Sequence, residues 1–310
     1  MADWTTYFEG SNPPEKYDEN KTRIQEFVSR HSKDGRRLVL VTSGGTRVPL
    51  ESRTVRFIDN FSVGTRGSVS AENFLVQGYA VIFLHRLNSL EPFTRHFSRV
   101  NFLDLLSLTT TADGRTGVQV DPKETSKLVR VMQGYQRVRD TDTLLSISFL
   151  SLSDYLYLLR AAAEAFTPIG PTAMLYLAAA VSDFYIPHKE LPEHKIQSAD
   201  GPLQITMQMT PKMLSPLVKE WAPQAFTVSF KLETDTSILI KKAKQALQKY
   251  SHQVVIANIL ETRKKTVTIV TREDEEAVMM SDSELEAGME IEEKIIADLV
   301  RRHETFCQGS

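Results

Sequence analysis

Short apolar runs alternate along this chain with segments that repeat apolar side chains every three or four positions, the pattern of strands and helices taking turns. Leu38-Val39-Leu40-Val41, Ala80-Val81-Ile82-Phe83-Leu84, residues 144–149, 174–181 and 226–230, Val254-Val255-Ile256-Ala257 and residues 267–270 read as strands. Their continuous apolar character is that of strands buried on both faces of a parallel sheet. Helices are predicted over 21–32 (apolar face Ile24, Phe27 and Val28), 65–76, 123–138, 153–166 (Leu156, Leu159 and Ala163 inward), 237–249 (Ile238, Ile240 and Leu247) and 291–303. The alternation predicts an α/β fold, a Rossmann-like and mainly parallel sheet with helices on both faces.

Four stretches depart from that rhythm. Residues 1–20 are polar, contain Pro13 and Pro14, and read as a flexible N-terminal arm before a single α/β domain over 21–310. Residues 43–62 separate the first strand from its helix, whereas compact strand-to-helix connections take about 2–6 residues, and long loops inside compact domains are usually functional. Residues 86–142 read as an insertion or lid. Residues 186–210 form a proline-containing flap whose end, 203–209, alternates like a hairpin strand.

Composition narrows the class. With 41% hydrophobic and 25% charged residues the chain is an ordinary globular protein, and a net charge of −2 argues against a general nucleic-acid binder. The one cysteine, Cys307, sits near the C-terminus where fraying is expected, and it excludes an internal disulfide framework. No apolar run approaches the ~20 residues of a membrane span, and the polar start lacks a secretory pattern, so a cytoplasmic protein is expected.

Candidate chemistry gathers at strand ends. Ser62-Val63-Gly64-Thr65-Arg66-Gly67 opens a helix, where free N–H groups and a partial positive charge suit a phosphate. Gly44-Gly45 directly after the first strand offers a second close-approach point. The same residues would serve equally as tight turns and packing glycines. A dinucleotide fingerprint fits poorly: the glycine motif is delayed, Ser62 replaces its first glycine, and His85-Arg86 stands where an acid belongs. No P-loop, metal-ligand spacing among the seven histidines or Ser/His/Asp triad can be picked out. In the long loop Arg47 and Arg53 read as solvated charges. Arg56 and Asn60 bracket Phe57-Ile58, expected to pack down and fix their directions, and an asparagine amide suits a developing oxyanion. Ala178-Ala179-Ala180 leaves room for a ligand at a strand's C-terminal edge, and the following Asp183 is expected to be partly buried.

Six blocks in order resemble the signatures of phosphopantothenate–cysteine ligase, in its free-standing animal form. They are Val41-Thr42-Ser43-Gly44-Gly45-Thr46; residues 55–64; residues 178–185; Glu193-His194-Lys195-Ile196-Gln197-Ser198; Phe230-Lys231-Leu232-Glu233-Thr234; and Val255-Ile256-Ala257-Asn258. Val63 departs from the small residue more usual there. The resemblance implies activation of the 4'-phosphopantothenate carboxylate on ATP or CTP with Mg²⁺, then amide formation with L-cysteine. It further implies that Gly44, Ser62, Gly64, Gly67, Phe230 and Asn258 hold the nucleotide, and that Asn60, Ala179, Ala180 and Asp183 receive the substrate. Asn60 would stabilise the oxyanion, Lys195 would neutralise the triphosphate, and Arg56 would reach the neighbouring site of a homodimer with the flap at its interface. An NAD(P)-dependent oxidoreductase and a catalytically silent nucleotide-binding protein stand as alternatives.

Overall fold

The computed structural model describes residues 4–98, 100–110, 113–198 and 201–309. In chain order the strands are β1 (Leu38–Ser43), β2 (Arg47–Pro49), β3 (Phe57–Asp59), β4 (Ala80–Arg86), β5 (Leu106–Thr110), β6 (Thr116–Val120), β7 (Leu144–Phe149), β8 (Ala173–Leu177), β9 (Phe184–Tyr185), β10 (Gln208–Met209), β11 (Phe226–Glu233), β12 (Val254–Ile259), β13 (Thr266–Val270) and β14 (Glu275–Met279). The helices are α1 (Trp4–Glu9), α2 (Tyr17–Lys33), α3 (Thr65–Val76), α4 (Thr125–Thr141), α5 (Leu152–Phe166), α6 (Leu214–Pro216), α7 (Thr236–Tyr250), α8 (Asp282–Glu286) and α9 (Ile291–Gln308). None is long and apolar enough to cross a membrane, among the described residues.

Eight strands form one sheet in the order β14-β13-β12-β11-β8-β1-β4-β7, parallel from β12 to β7, with β13 and β14 antiparallel at one edge. The chain steps outward from β1 through β4 to β7, returns to β8 on the other side of β1, and steps outward again. β1 and β8 therefore flank the switch point, where open α/β sheets bind ligands beyond their strands' carboxyl ends. Alternate side chains point to opposite faces. Leu38, Leu40, Ile82 and Leu175 face α2 and α5, whereas Val39, Val41, Phe83 and Tyr176 face α3 and α9. Leu239, Ala243 and Leu247 of α7 cover the end of the sheet near β12; of the three positions expected on that face, Leu247 is buried, while Ile238 and Ile240 lie half-buried beside it.

Several expectations need correction. The supposed flexible arm is anchored from residue 4: Tyr7 is buried, and Trp4 meets Trp221 edge-on at 5.3 Å. Aromatic spacing, hidden among polar residues, supplies that anchor. The expected fraying near Cys307 is not seen: α9 runs to Gln308, and the Cys307 thiol donates to the Pro171 carbonyl at 3.2 Å. Within 86–142, α4 is the ordinary crossover from β4 to β7, and the β5–β6 hairpin is the true addition. The strand expected over 203–209 shrinks to β10, paired antiparallel with β9.

Two buried histidines bind elements together. His303 on α9 bridges the Tyr79 hydroxyl and the Pro171 carbonyl, both at 2.8 Å, and His252 contacts Ser229 Oγ at 2.8 Å. Burial pushes both imidazoles down to about 4. A histidine whose folded pKa lies below its unfolded value stabilises fully above about 6.5 and loses that contribution as pH falls towards 4. Between pH 7 and pH 5 each should cost on the order of 2 kcal/mol. We expect urea-unfolding free energies to fall across that interval, and His303→Gln to show a shallower fall from a lower starting stability; an unchanged slope in the variant would remove His303 from the effect.

Candidate active site

Beyond the last residues of β1 and β8 the two chains remain tied. Ala180 N–H donates to the Gly44 carbonyl at 2.8 Å, and Thr46 N–H donates to the Ala180 carbonyl at 3.1 Å. Side chains extend the seam: Ala179 N–H donates to Thr42 Oγ1 at 3.1 Å, and Ser182 N–H to Thr46 Oγ1 at 3.0 Å. The long loop folds back onto it, with Asn60 N–H donating to the Thr46 carbonyl at 3.1 Å. Gly44, Gly45, Asn60, Ala179 and Ala180 thus share one seam at the switch point. The Asn60 carboxamide makes no hydrogen bond among the described residues and is half-buried, so it is free to serve a ligand.

Glycine is required here for two different reasons. Gly44 and Gly64 adopt φ of +84° and +85°, a region that side chains rarely enter. Gly64 is the N-cap of α3, so the helix's first amides open beside it. Gly45 and Gly67 are packing glycines: an added Cβ would lie 1.7 Å from the Asn60 carbonyl oxygen and 2.4 Å from Ser43 Cβ, respectively. Ser43 Oγ donates to the Gly64 carbonyl at 3.1 Å, locking that turn over β1. Ser62 is half-buried just before the turn, and Val63, exposed, accepts from Leu90 N–H at 2.9 Å.

Phe230 lies in β11 just past its last pairing with β8, and Asn258 stands near the carboxyl end of β12. Asn258 is buried, and Phe230 meets Tyr176 edge-on at 5.0 Å while Tyr176 OH pairs with Ser70 Oγ of α3 at 2.8 Å. Arg66, in the first turn of α3, lies 6.0 Å from the Phe230 ring and pairs with Glu292 at 2.9 Å. Burial pushes the Glu292 carboxyl up, and Arg66 partly offsets this.

The remaining expected residues lie outside this seam. Asp183 is exposed, not partly buried, and pairs with Lys212. Phe57 and Ile58 do not pack down; both are exposed, with the Arg47 guanidinium 4.0 Å above the Phe57 ring. Direction on this loop comes instead from Asp59, which pairs with Arg86 at 2.7 Å and with Arg47 at 3.8 Å, so Arg47 is no mere solvated charge. Lys195 is exposed on the flap, and its ammonium group has no ion pair among the described residues. Arg56 is clamped by Glu51 at 2.9 Å. Glu51 and Lys212 were missed by sequence reasoning. Arg66 carried a signal only as part of the glycine motif, and Arg86 only as a mismatch to the dinucleotide fingerprint.

A doubly wound α/β sheet with a glycine cradle at its switch point is the class defined by this geometry, and residues 129–300 match the DNA/pantothenate metabolism flavoprotein C-terminal domain family. The chain belongs to the phosphopantothenate–cysteine ligase family. Phosphopantothenate–cysteine ligase of Homo sapiens is 53% identical over 284 residues, 91% of each chain. CAB2 of Saccharomyces cerevisiae is 40% identical over 328 residues, covering 98% of this chain and 87% of its own. A solved structure of a Cab2 mutant in complex with phosphopantothenate-cysteine superposes with a TM-score of 0.89, at 40% identity and 98% coverage of both chains. The C-terminal domain of the coenzyme A biosynthesis bifunctional protein CoaBC shares the fold at TM-score 0.53 and 16% identity, covering 89% of this chain and 97% of its own.

Gly45→Ala and Gly67→Ala should each lose about 1–3 kcal/mol of stability through overpacking, with Gly45→Ala the worse because it strikes backbone. Calorimetric unfolding of both variants measures this, and wild-type unfolding temperatures would contradict the packing roles.

Proposed function

We propose that the chain is a carboxylate–amine ligase that joins 4'-phosphopantothenate to L-cysteine in coenzyme A synthesis. The observation that carries the reading is the seam itself: two positive-φ glycines, a helix N-terminus and an unengaged asparagine amide meet at the switch point. The human and yeast relatives support it by their names and extent.

A carboxylate is a poor electrophile. In the first step its oxygen attacks the α-phosphorus of ATP or CTP, forming an acyl-nucleotide and breaking the bond to pyrophosphate. In the second the cysteine amine attacks the acyl carbon, loses a proton and expels the nucleoside monophosphate. The amides around Gly44, Ser62, Gly64 and the first turn carrying Gly67 would hold polyphosphate, a role suited to bare backbone at a helix start. Phe230 and Asn258 would frame the base and ribose. Asn60 would donate to the acyl oxygen as charge develops on it. Ala179 and Ala180 would leave space for the pantothenate arm, and Asp183, with Lys212 beside it, would accept from its amide or hydroxyl groups. Lys195 would neutralise the triphosphate as pyrophosphate leaves.

Mg²⁺ would enter with the triphosphate as its counter-ion. Among the described residues no three His, Cys, Asp or Glu side chains gather as a ligand set, which fits a metal held largely by substrate phosphates.

A homodimer belongs to the same proposal. Phe61 is 91% exposed between Asn60 and Ser62, and Phe57, Phe184, Leu203 and Met209 also present apolar surface on the loop and flap. Such a patch is the mark of an interaction surface, and it would place Arg56 beside the neighbouring site.

Asn60→Ala should lower amide formation by about 10²–10³-fold while nucleotide binding persists; full activity would remove Asn60 from the reaction. Lys195→Ala should suppress pyrophosphate release even without cysteine, and normal release would exclude it from the first step. Mixing inactive Arg56→Ala and Asn60→Ala subunits should restore part of the activity, and no recovery would count against shared sites.

A further inference from the structure

Glu51 lies in the loop between β2 and β3, fully buried. An isolated carboxylate in that position is costly unless donors surround it. Its Oε2 accepts from Val55 N–H at 3.2 Å and Arg56 N–H at 2.9 Å, and its Oε1 accepts from Arg56 Nη1 at 2.9 Å. Burial alone would raise its pKa, but these bonds, with the Ile196 peptide N–H, hold it below the usual carboxylate range.

The same loop grips the flap. Ser52 N–H donates to the Pro192 carbonyl at 2.9 Å, and Arg53 N–H donates to the Glu193 carbonyl at 3.1 Å. Arg56 Nη1 donates also to the Ile196 carbonyl at 3.2 Å. One guanidinium nitrogen is thereby spent on Glu51 and the flap. Nε and Nη2 have no hydrogen-bond partner among the described residues, and the side chain lines a cavity of about 250 Å³ with Gln197, Ser198 and Gln204. The loop that carries Glu51 leads directly into β3 and Asn60, and the flap it holds carries Lys195.

We propose that Glu51 is a positioning residue: it fixes Arg56 by one nitrogen, so that the other guanidinium edge meets an anionic group of the acyl substrate, and fastens the Lys195 flap to the Asn60 loop. This rests on the ligase reading above. Arginine's planar fork makes such one-sided anchoring effective, because the remaining edge keeps a fixed direction.

Glu51→Gln keeps the shape and removes the charge. It should raise KM for 4'-phosphopantothenate by about tenfold or more, with the nucleotide KM within about twofold. In an Arg56→Ala background, where 4'-phosphopantothenate binding is followed by calorimetry, the same substitution should weaken binding by less than about a further twofold, because its effect passes through Arg56. Independent multiplication of the two effects, wild-type kinetics, or equal rises in both KM values would overturn the proposal. Glu51→Asp, charged but shorter, should fall between wild type and Glu51→Gln; a value no better than Glu51→Gln would also count against it. Hydrogen exchange gives a readout independent of turnover: the Ser52 and Arg53 amides should exchange faster in Glu51→Gln, and unchanged exchange would overturn the clasp. A wild-type chain that forms no amide would sink the ligase reading, while the exchange result would still decide the clasp.

Discussion

The hydrogen-bonded seam beyond β1 and β8 is the constraint on which the site depends. A parallel pair normally parts at its carboxyl ends, and here it opens only after Gly44, Thr46 and Ala180 have exchanged backbone bonds. That continuation places the alanines beside the glycines and gives the returning loop a fixed carbonyl, Thr46, on which to hang Asn60. Gly45 has no side chain because the Asn60 peptide occupies the space. The delay between the first strand and its helix follows directly: the intervening residues travel out, form the β2–β3 ribbon, and come back to the seam before α3 begins.

Carboxylates hold the arginines of the surrounding elements: Asp59 holds Arg86, Glu292 holds Arg66 and, on the ribbon outside the seam, Glu51 holds Arg56. Pairing fixes the direction of each guanidinium. Lys195 is the contrast, an exposed charge with no ion pair among the described residues. Fixed donors suit orientation of a bound ligand.

Much of this was legible in the sequence because it rests on local pattern. Buried parallel strands advertise themselves as apolar runs, and α3 begins at Thr65 and ends at Val76, as its glycines at 64 and 78 indicate. The unusual loop was visible as a spacing anomaly, and the six ordered blocks pointed to the family. What stayed hidden depends on pairing at a distance. Nothing in the string says that Trp4 and Tyr7 find the core, that Asp183 faces Lys212, or that Glu51 is buried among four donors. The expectation that Phe57 and Ile58 pack inward failed for a related reason: apolar residues on a ribbon read as core, although a ribbon with no second layer leaves them exposed. Position 63 shows the reverse case: the unusual side chain is exposed, and it is the Val63 carbonyl that accepts from Leu90 N–H.

The proposed activation of a carboxylate on the α-phosphorus of a triphosphate, held in the cradle around Gly44 and Gly64, can be followed with 4'-phosphopantothenate labelled with ¹⁸O in its carboxylate, incubated with cysteine, Mg²⁺ and ATP or CTP. One labelled oxygen should appear in the nucleoside monophosphate, with pyrophosphate formed in step with the amide. Label in orthophosphate instead, or amide formation with none in the monophosphate, would contradict it.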